Sequence, residues 1–127
     1  MIALKRVYDK TTPEDGICFL VERLWPRGIR KESLQLDAWL KDVAPSTDLR
    51  RWFGHDPEKW GEFRRRYFGE LDGNSEAWTP IVRAAARRRV TLFYSSRDAE
   101  HNNAVALKEY LESKIRKQRA SMRKSTS

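Results

Sequence analysis

The chain reads as a small single α/β domain, with a mixed or partly parallel sheet and helices packed on it. Three observations carry this. Three short apolar runs have β-strand character, the segments between the second and third runs show helical periodicity, and no linker divides the 127 residues. That length suits one domain with one real core. Fourteen aromatic residues, five of them Trp, supply burial that the modest aliphatic content does not.

Residues 2–8 make the first predicted strand, with Ile2, Leu4 and Val7 on a β-prone run. Thr11 to Gly16 is a turn cluster. Ile17 to Trp25 is the second strand, nearly continuous in apolar residues at first, as a strand covered on both faces would be. Pro26 and Gly28 end it. Ser33 can cap a helix reaching about Lys41, with Leu34, Ala38 and Trp39 inward. A short helix follows, from N-cap Ser46 to Gly54, with Asp48 in its first turn. Asp56-Pro57 pairs an N-cap with proline at the first helical position. The helix behind it carries Trp60, Phe63, Tyr67, Phe68 and Leu71 on one stripe, a spacing that fits core packing better than a base-stacking platform. A further helix runs from the upper 70s to Arg88, capped by Ser75 or starting at Thr79-Pro80. Val90–Tyr94 is the third strand, and a last helix turns Ala104, Leu107, Leu111 and Ile115 inward. The apolar period stops near Lys117. The expected organisation is therefore a domain over 1–116 and a basic, flexible tail over 117–127.

The long helical connection between the second and third strands favours a parallel pair. Trp25-Pro26-Arg27-Gly28 and Ser95-Ser96-Arg97-Asp98 would then share the carboxyl edge of the sheet, where open α/β sheets place ligands.

The candidate site residues follow from that edge. Arg23 and Arg27, with Trp25 between them, offer planar donor forks for a carboxylate or phosphate, or for an internal carboxylate such as Asp15, Glu22, Asp37 or Asp98. His55, on a turn after Gly54, is a candidate acid–base group or a structural hydrogen-bonder; Asp56 beside it reads as a helix cap. Asp98 and His101 stand three apart, so a carboxylate can orient an imidazole, or Asp98 can cap the last helix. Ser95, Ser96, Arg97, Asn102 and Asn103 complete this polar run as candidate ligand contacts. The candidate catalytic set is thus His55, His101 and Asp98. Two histidines and one cysteine make no recognisable metal motif, and no phosphate-binding glycine loop or dinucleotide fingerprint is present, so no cofactor is named. Cys18 reads as an inert small hydrophobe.

The net charge of +8 needs locating before it is used. Six basic residues and no acid follow Glu112, leaving 20 Lys and Arg against 18 Asp and Glu in residues 1–113. The tail is either a solubilising extension or a sequence-independent contact to nucleic acid. Arg64–Arg66 and Arg87–Arg89 each read as a solvated face, or together as a phosphate patch. No apolar run approaches a membrane span, the first residues read as a strand rather than a signal peptide, and the lone cysteine excludes an internal disulfide; a cytoplasmic protein without a membrane partner is expected.

Several blocks are distinctive together: Leu-Lys-Arg-Val-Tyr-Asp from residue 4, Arg-Leu-Trp-Pro-Arg-Gly at 23–28, Leu-Asp-Ala-Trp-Leu-Lys-Asp-Val-Ala-Pro-Ser at 36–46, Arg-Trp-Phe-Gly-His-Asp-Pro at 51–57 and Asp-Ala-Glu-His-Asn-Asn-Ala at 98–104. Over about residues 3–112 the chain resembles the YeaO-like branch of the bacterial "domain of unknown function 488" family. The resemblance implies a compact bacterial cytosolic α/β domain and supplies no reaction. Members typically carry Asp before the arginine of the second-strand motif, where this chain has Glu22, one methylene longer; that makes Glu22 the weaker candidate for a base. Two functional readings stand: an anion- or phosphate-type ligand site at the strand ends, enzymatic or not, and a noncatalytic module that binds nucleic acid or protein.

Overall fold

A computed structural model describes residues 1–125, with side chains described through Met122. Four strands, β1 (Ile2–Arg6), β2 (Ile17–Leu20), β3 (Ala38–Trp39) and β4 (Val90–Tyr94), form one sheet in the order β1-β4-β2-β3, and every pair is parallel. β4 is central. Val90 faces Ile2 on one side and Ile17 on the other, and all five β4 residues are buried. The Thr91 hydroxyl donates to the Asp15 carbonyl at 2.7 Å, so this buried group is paired.

Of the four helices, the first two start from the caps read in the sequence, while the last two do not. In α1 (Thr47–Phe53) the Ser46 hydroxyl accepts from the Leu49 N–H at 3.2 Å, and Gly54 ends the helix at φ 55°. α2 (Trp60–Asp72) is entered through a 3-10 turn at Pro57–Lys59, whose cap Asp56 accepts from the Glu58 N–H at 3.0 Å. Its stripe buries Phe63, Tyr67 and Leu71. α3 spans Ser75–Ala85 with Asn74 at the N-cap position, so neither Ser75 nor Thr79 caps it and Pro80 lies inside. α4 spans Asn103–Ser125 and takes in residues 117–125, where the sequence suggested a flexible tail. Lys, Arg, Gln, Ala and Met are all good helix formers, so the loss of apolar period did not end the helix. Residues 126 and 127 of that expected tail lie outside the described residues.

Residues 33–41 depart from the expectation. They form no helix; a 3-10 turn at Lys31–Ser33 leads into the edge strand β3. Pairing with β2 decides this: the Asp37 N–H donates to the Cys18 carbonyl at 2.8 Å, while the Asp37 carboxylate accepts from the Cys18 N–H at 2.7 Å. β2 is also shorter than expected. Beyond Leu20 only the Val21 N–H still reaches β4, at Phe93.

The helices bury Phe53, Phe63, Tyr67, Ile81, Leu107 and Leu111 against Val90, Leu92 and Tyr94. The alternate residue, Phe93, points to the opposite face and packs with Leu20, Cys18 and Leu34 under the loops, near Trp25 and Trp39. Burying each such large side chain is worth about 1.5–3 kcal/mol. One sheet face is thus roofed by helices and the other by loops, and the carboxyl ends of β2 and β4 open between them.

Candidate functional site

At the end of β2 three consecutive residues stop pairing as a strand and tie neighbouring elements together. The Val21 carbonyl accepts from the Asn103 amide at 2.7 Å, at the start of α4. Glu22 Oε1 accepts from both the Ser95 N–H (2.7 Å) and the Ser95 hydroxyl (3.1 Å), linking the ends of β2 and β4. Arg23 donates through Nε to the Pro45 carbonyl (3.2 Å) and through Nη2 to the Ala44 carbonyl (3.1 Å), fixing the approach to α1. Its partners are backbone carbonyls, not the carboxylates considered from sequence. Ser46, next in the chain, is held by Glu70 of α2, which accepts from its N–H at 2.8 Å and its hydroxyl at 2.6 Å.

These ties enclose a pocket of about 120 Å³. Glu22, Arg23, Arg50, His55, His101 and Asn103 supply its charged and polar wall, Ser95, Ser96 and Asn102 also line it, and Phe53, Phe63, Ala44 and Pro45 complete it. Drug-sized sites usually run to about 300–1,000 Å³, so this one suits a small ligand or the end group of a larger one.

The electrostatics are uneven. Burial pushes the Glu22 carboxyl above its ordinary range, opposed by the Ser95 hydrogen bonds and then by the charges of Arg50 and His55. Arg50 reaches the pocket from α1, and its guanidinium donates no hydrogen bond to any described residue. His55 stands at φ 58° directly after Gly54 at φ 55°. Two successive left-handed residues turn the chain sharply, and a non-glycine residue there costs of order 1–3 kcal/mol, a strain that clusters at functional sites. His101 Nδ1 lies 3.0 Å from Asp98 Oδ2, and its ring meets the edge of Trp60 with centroids 5.4 Å apart. With the Nδ1 proton directed at Asp98, Nε2 is the free nitrogen. The N–H groups of Glu100 and then His101, which Asp98 Oδ1 accepts, hold the Asp98 carboxyl below its usual range. Asn102 is the N-cap of α4: its Oδ1 accepts from the Val105 N–H at 3.0 Å.

Of the residues singled out from sequence, Arg23, His55, Ser95, Ser96, His101, Asn102 and Asn103 meet at this pocket. Asp98 stands behind His101. The other three lie elsewhere. Trp25 donates to the Ile29 carbonyl at 2.7 Å and packs edge-on against Trp39 under the second core. Arg27 is exposed, and its carbonyl accepts from the Tyr8 hydroxyl at 3.1 Å. Arg97 is exposed and off the pocket wall. Sequence reasoning passed over Arg50 and ranked Glu22 low. The available signal for Arg50 was its place four residues before Gly54, on the helix whose C-terminal cap leads directly into His55. Among the described residues no group of three or more His, Cys, Asp or Glu is arranged to hold a metal ion, and no helix is long and apolar enough to cross a membrane.

Fold and pocket together define a small, all-parallel α/β domain whose strand ends carry a compact basic-walled cavity around one half-buried carboxyl group, Glu22. The chain belongs to the DUF488 family: a family model described as "Inactive DUF488-N3 subclade" matches residues 1–127. It is similar to "Uncharacterized protein YeaO" of Escherichia coli, 39% identical over 112 residues, which covers 88% of this chain and 97% of that protein. "Uncharacterized protein Rv3073c" of Mycobacterium tuberculosis and "Uncharacterized protein Mb3100c" of Mycobacterium bovis are each 39% identical over 110 residues, 87% of this chain and 92% of theirs. No solved structure matches the chain.

Proposed function

We propose that the protein is a small-anion-binding domain whose ligand, a carboxylate, phosphate or phosphate-bearing end group, sits in the pocket at the ends of β2 and β4. The observation that carries this reading is the Arg50 guanidinium, which donates no hydrogen bond to a described residue, beside Arg23, His55 and His101 in a pocket whose wall holds one carboxyl group, Glu22. Arg23 spends Nε and Nη2 on carbonyls, which fixes the remaining amino group as a preorganised donor. Burial makes Glu22 easier to protonate, which lowers its repulsion of an anion.

Binding without turnover fits this wall better than catalysis. Glu22 Oε1 is occupied by Ser95, Asp98 is spent on backbone N–H groups as well as on His101, and the matching family model carries the word "inactive". The enzymatic reading rests on one observation, the Asp98–His101 pair, which resembles an oriented acid–base group. We take the protein to be cytoplasmic, as its resemblance to a bacterial cytosolic domain implies; its one cysteine, Cys18, is buried and its thiol is pushed up by that burial, as suits an inert packing residue.

Calorimetric titration with inorganic phosphate tests the proposal. Losing a charge-assisted contact costs about 1.5–3 kcal/mol, so Arg50→Met should weaken binding about tenfold or more. Glu22→Gln, which removes the opposing charge, should tighten it, and Arg27→Ala, away from the pocket, should leave it unchanged. If Arg50→Met keeps the melting temperature and binds phosphate like the parent, or Glu22→Gln weakens binding, the anion site is not here.

A further inference from the structure

The molecule's excess positive charge lies at one pole. Residues 83–89 hold Arg83, Arg87, Arg88 and Arg89 with no acid, and residues 116–124 hold Arg116, Lys117, Arg119, Arg123 and Lys124 with no acid. Removing those nine from the chain's 26 Lys and Arg leaves 17 against 18 Asp and Glu, so these two segments account for the whole of the +8.

The fold brings the segments together. Residues 83–89 close α3 and lead into the amino end of β4. α4 begins at the pocket and runs back along the sheet, so that Ile115, Arg116 and Arg119 share a groove with Ile2, Val82 and Ala86. Arg83 and Arg87 flank Ala86 on its other side. A 23-residue helix is about 34 Å long, while a five-residue strand spans about 17 Å, so the second half of α4 extends past the amino edge of the sheet. Arg83, Arg87, Arg88, Arg89, Arg116, Lys117 and Arg119 are all exposed, and none makes an ion pair among the described residues. The arginines of α2 behave differently: Arg64 pairs with Glu109, and Arg65 and Arg66 pair with Glu62.

We propose that this pole, formed jointly by the end of α3 and the second half of α4, binds the phosphate backbone of duplex nucleic acid without regard to sequence. Guanidinium forks match phosphate geometry, and uncompensated ones at an exposed pole release the most counterions on binding. Neither segment contains an aromatic residue, so the surface has no platform on which unpaired bases could stack, which favours a duplex over a single strand. The apolar residues of 116–124 are Ala120 and Met122 alone, too few for a helix that inserts into a lipid surface. The strand-end pocket lies at the other end of the sheet, so this binding is independent of it.

Fluorescence anisotropy with two unrelated duplexes of about 20 base pairs, at about 50 to 300 mM NaCl, tests this on the full chain. Both duplexes should bind within a few-fold of each other, and about five phosphate contacts should give a slope of log K against log salt near −4.5. The doubles Arg83→Gln with Arg87→Gln, and Arg116→Gln with Arg119→Gln, should each flatten that slope by about 1.8. Arg65→Gln with Arg66→Gln should not change it. Absence of binding at the lowest salt overturns the proposal, as does a tenfold preference between the duplexes. So does an unchanged slope in the α3 double, which would leave only a tail effect, or tighter binding to phosphatidylserine vesicles than to duplex.

Discussion

A single methyl group added at Gly16 should open the junction between β2 and β4. Gly16 has φ 68° and ψ −132°, and a Cβ built there falls 2.2 Å from the Arg89 carbonyl oxygen and 2.9 Å from its carbon. That oxygen accepts the Ile17 N–H at 2.9 Å, the first bond of the β2–β4 ladder. Gly16→Ala therefore imposes a backbone conformation worth about 1–3 kcal/mol and displaces a paired backbone group, worth about 1–3 kcal/mol more, for a total of roughly 2–6 kcal/mol. Gly28 is the internal control. Its φ is 76°, yet nothing lies within 4 Å of a Cβ built there, so Gly28→Ala should lose only the conformational part, about 1–2 kcal/mol. For a chain of this length each kcal/mol moves the melting temperature by about 4 °C, which predicts drops of roughly 8–24 °C and 4–8 °C, the larger at Gly16. Thermal unfolding followed by circular dichroism, with a urea titration for the free energy, measures both. Equal losses at the two glycines would show that the contact with Arg89 does not govern the cost.

Two further predictions concern the pocket. Because burial raises the Glu22 carboxyl in the folded state, its contribution is fully present below the unfolded value of about 4.3 and is lost as pH rises through the raised folded value. Glu22→Gln should accordingly match the parent at low pH and become the more stable of the two as pH rises through that window, seen as diverging melting temperatures between about pH 3.5 and 8; a difference that closes with rising pH contradicts the assignment. His55→Gly should relieve the positive φ and stabilise the fold by about 1 kcal/mol while weakening phosphate binding; a variant that is no more stable than the parent in urea would show that the histidine bears no strain.

How much was legible depended on whether a residue's partner lay nearby in the chain. The caps at Ser46 and Asp56, the left-handed Gly54 and the Phe63–Tyr67–Leu71 stripe were readable, because each answers a local demand of its own helix. β3 was not. A two-residue edge strand has no pattern of its own, and Asp37 becomes part of the sheet only through its two bonds to Cys18. The site divided in the same way. Parallel pairing of β2 with β4 was inferable from the connection between them, and it carried Arg23, Ser95, Ser96, His101, Asn102 and Asn103 to one edge. Arg27 and Trp25 were lost because the chain after Arg23 turns away to cover the opposite sheet face, a choice made by the Trp25–Trp39 contact.

The sequence by itself determined the α/β class, the caps that lead into α1 and α2, the parallel direction of the β2–β4 pair and the family, since each rests on periodicity, capping chemistry, connection length or local motifs written into consecutive residues. Only the tertiary structure decided which charges face one another. It brought Arg50 to Glu22, gave Arg23 its carbonyl partners, tied Glu70 to Ser46, and set the α3 arginines beside the basic half of α4. Charge interactions act through space over a few ångströms, and chain separation carries no information about them.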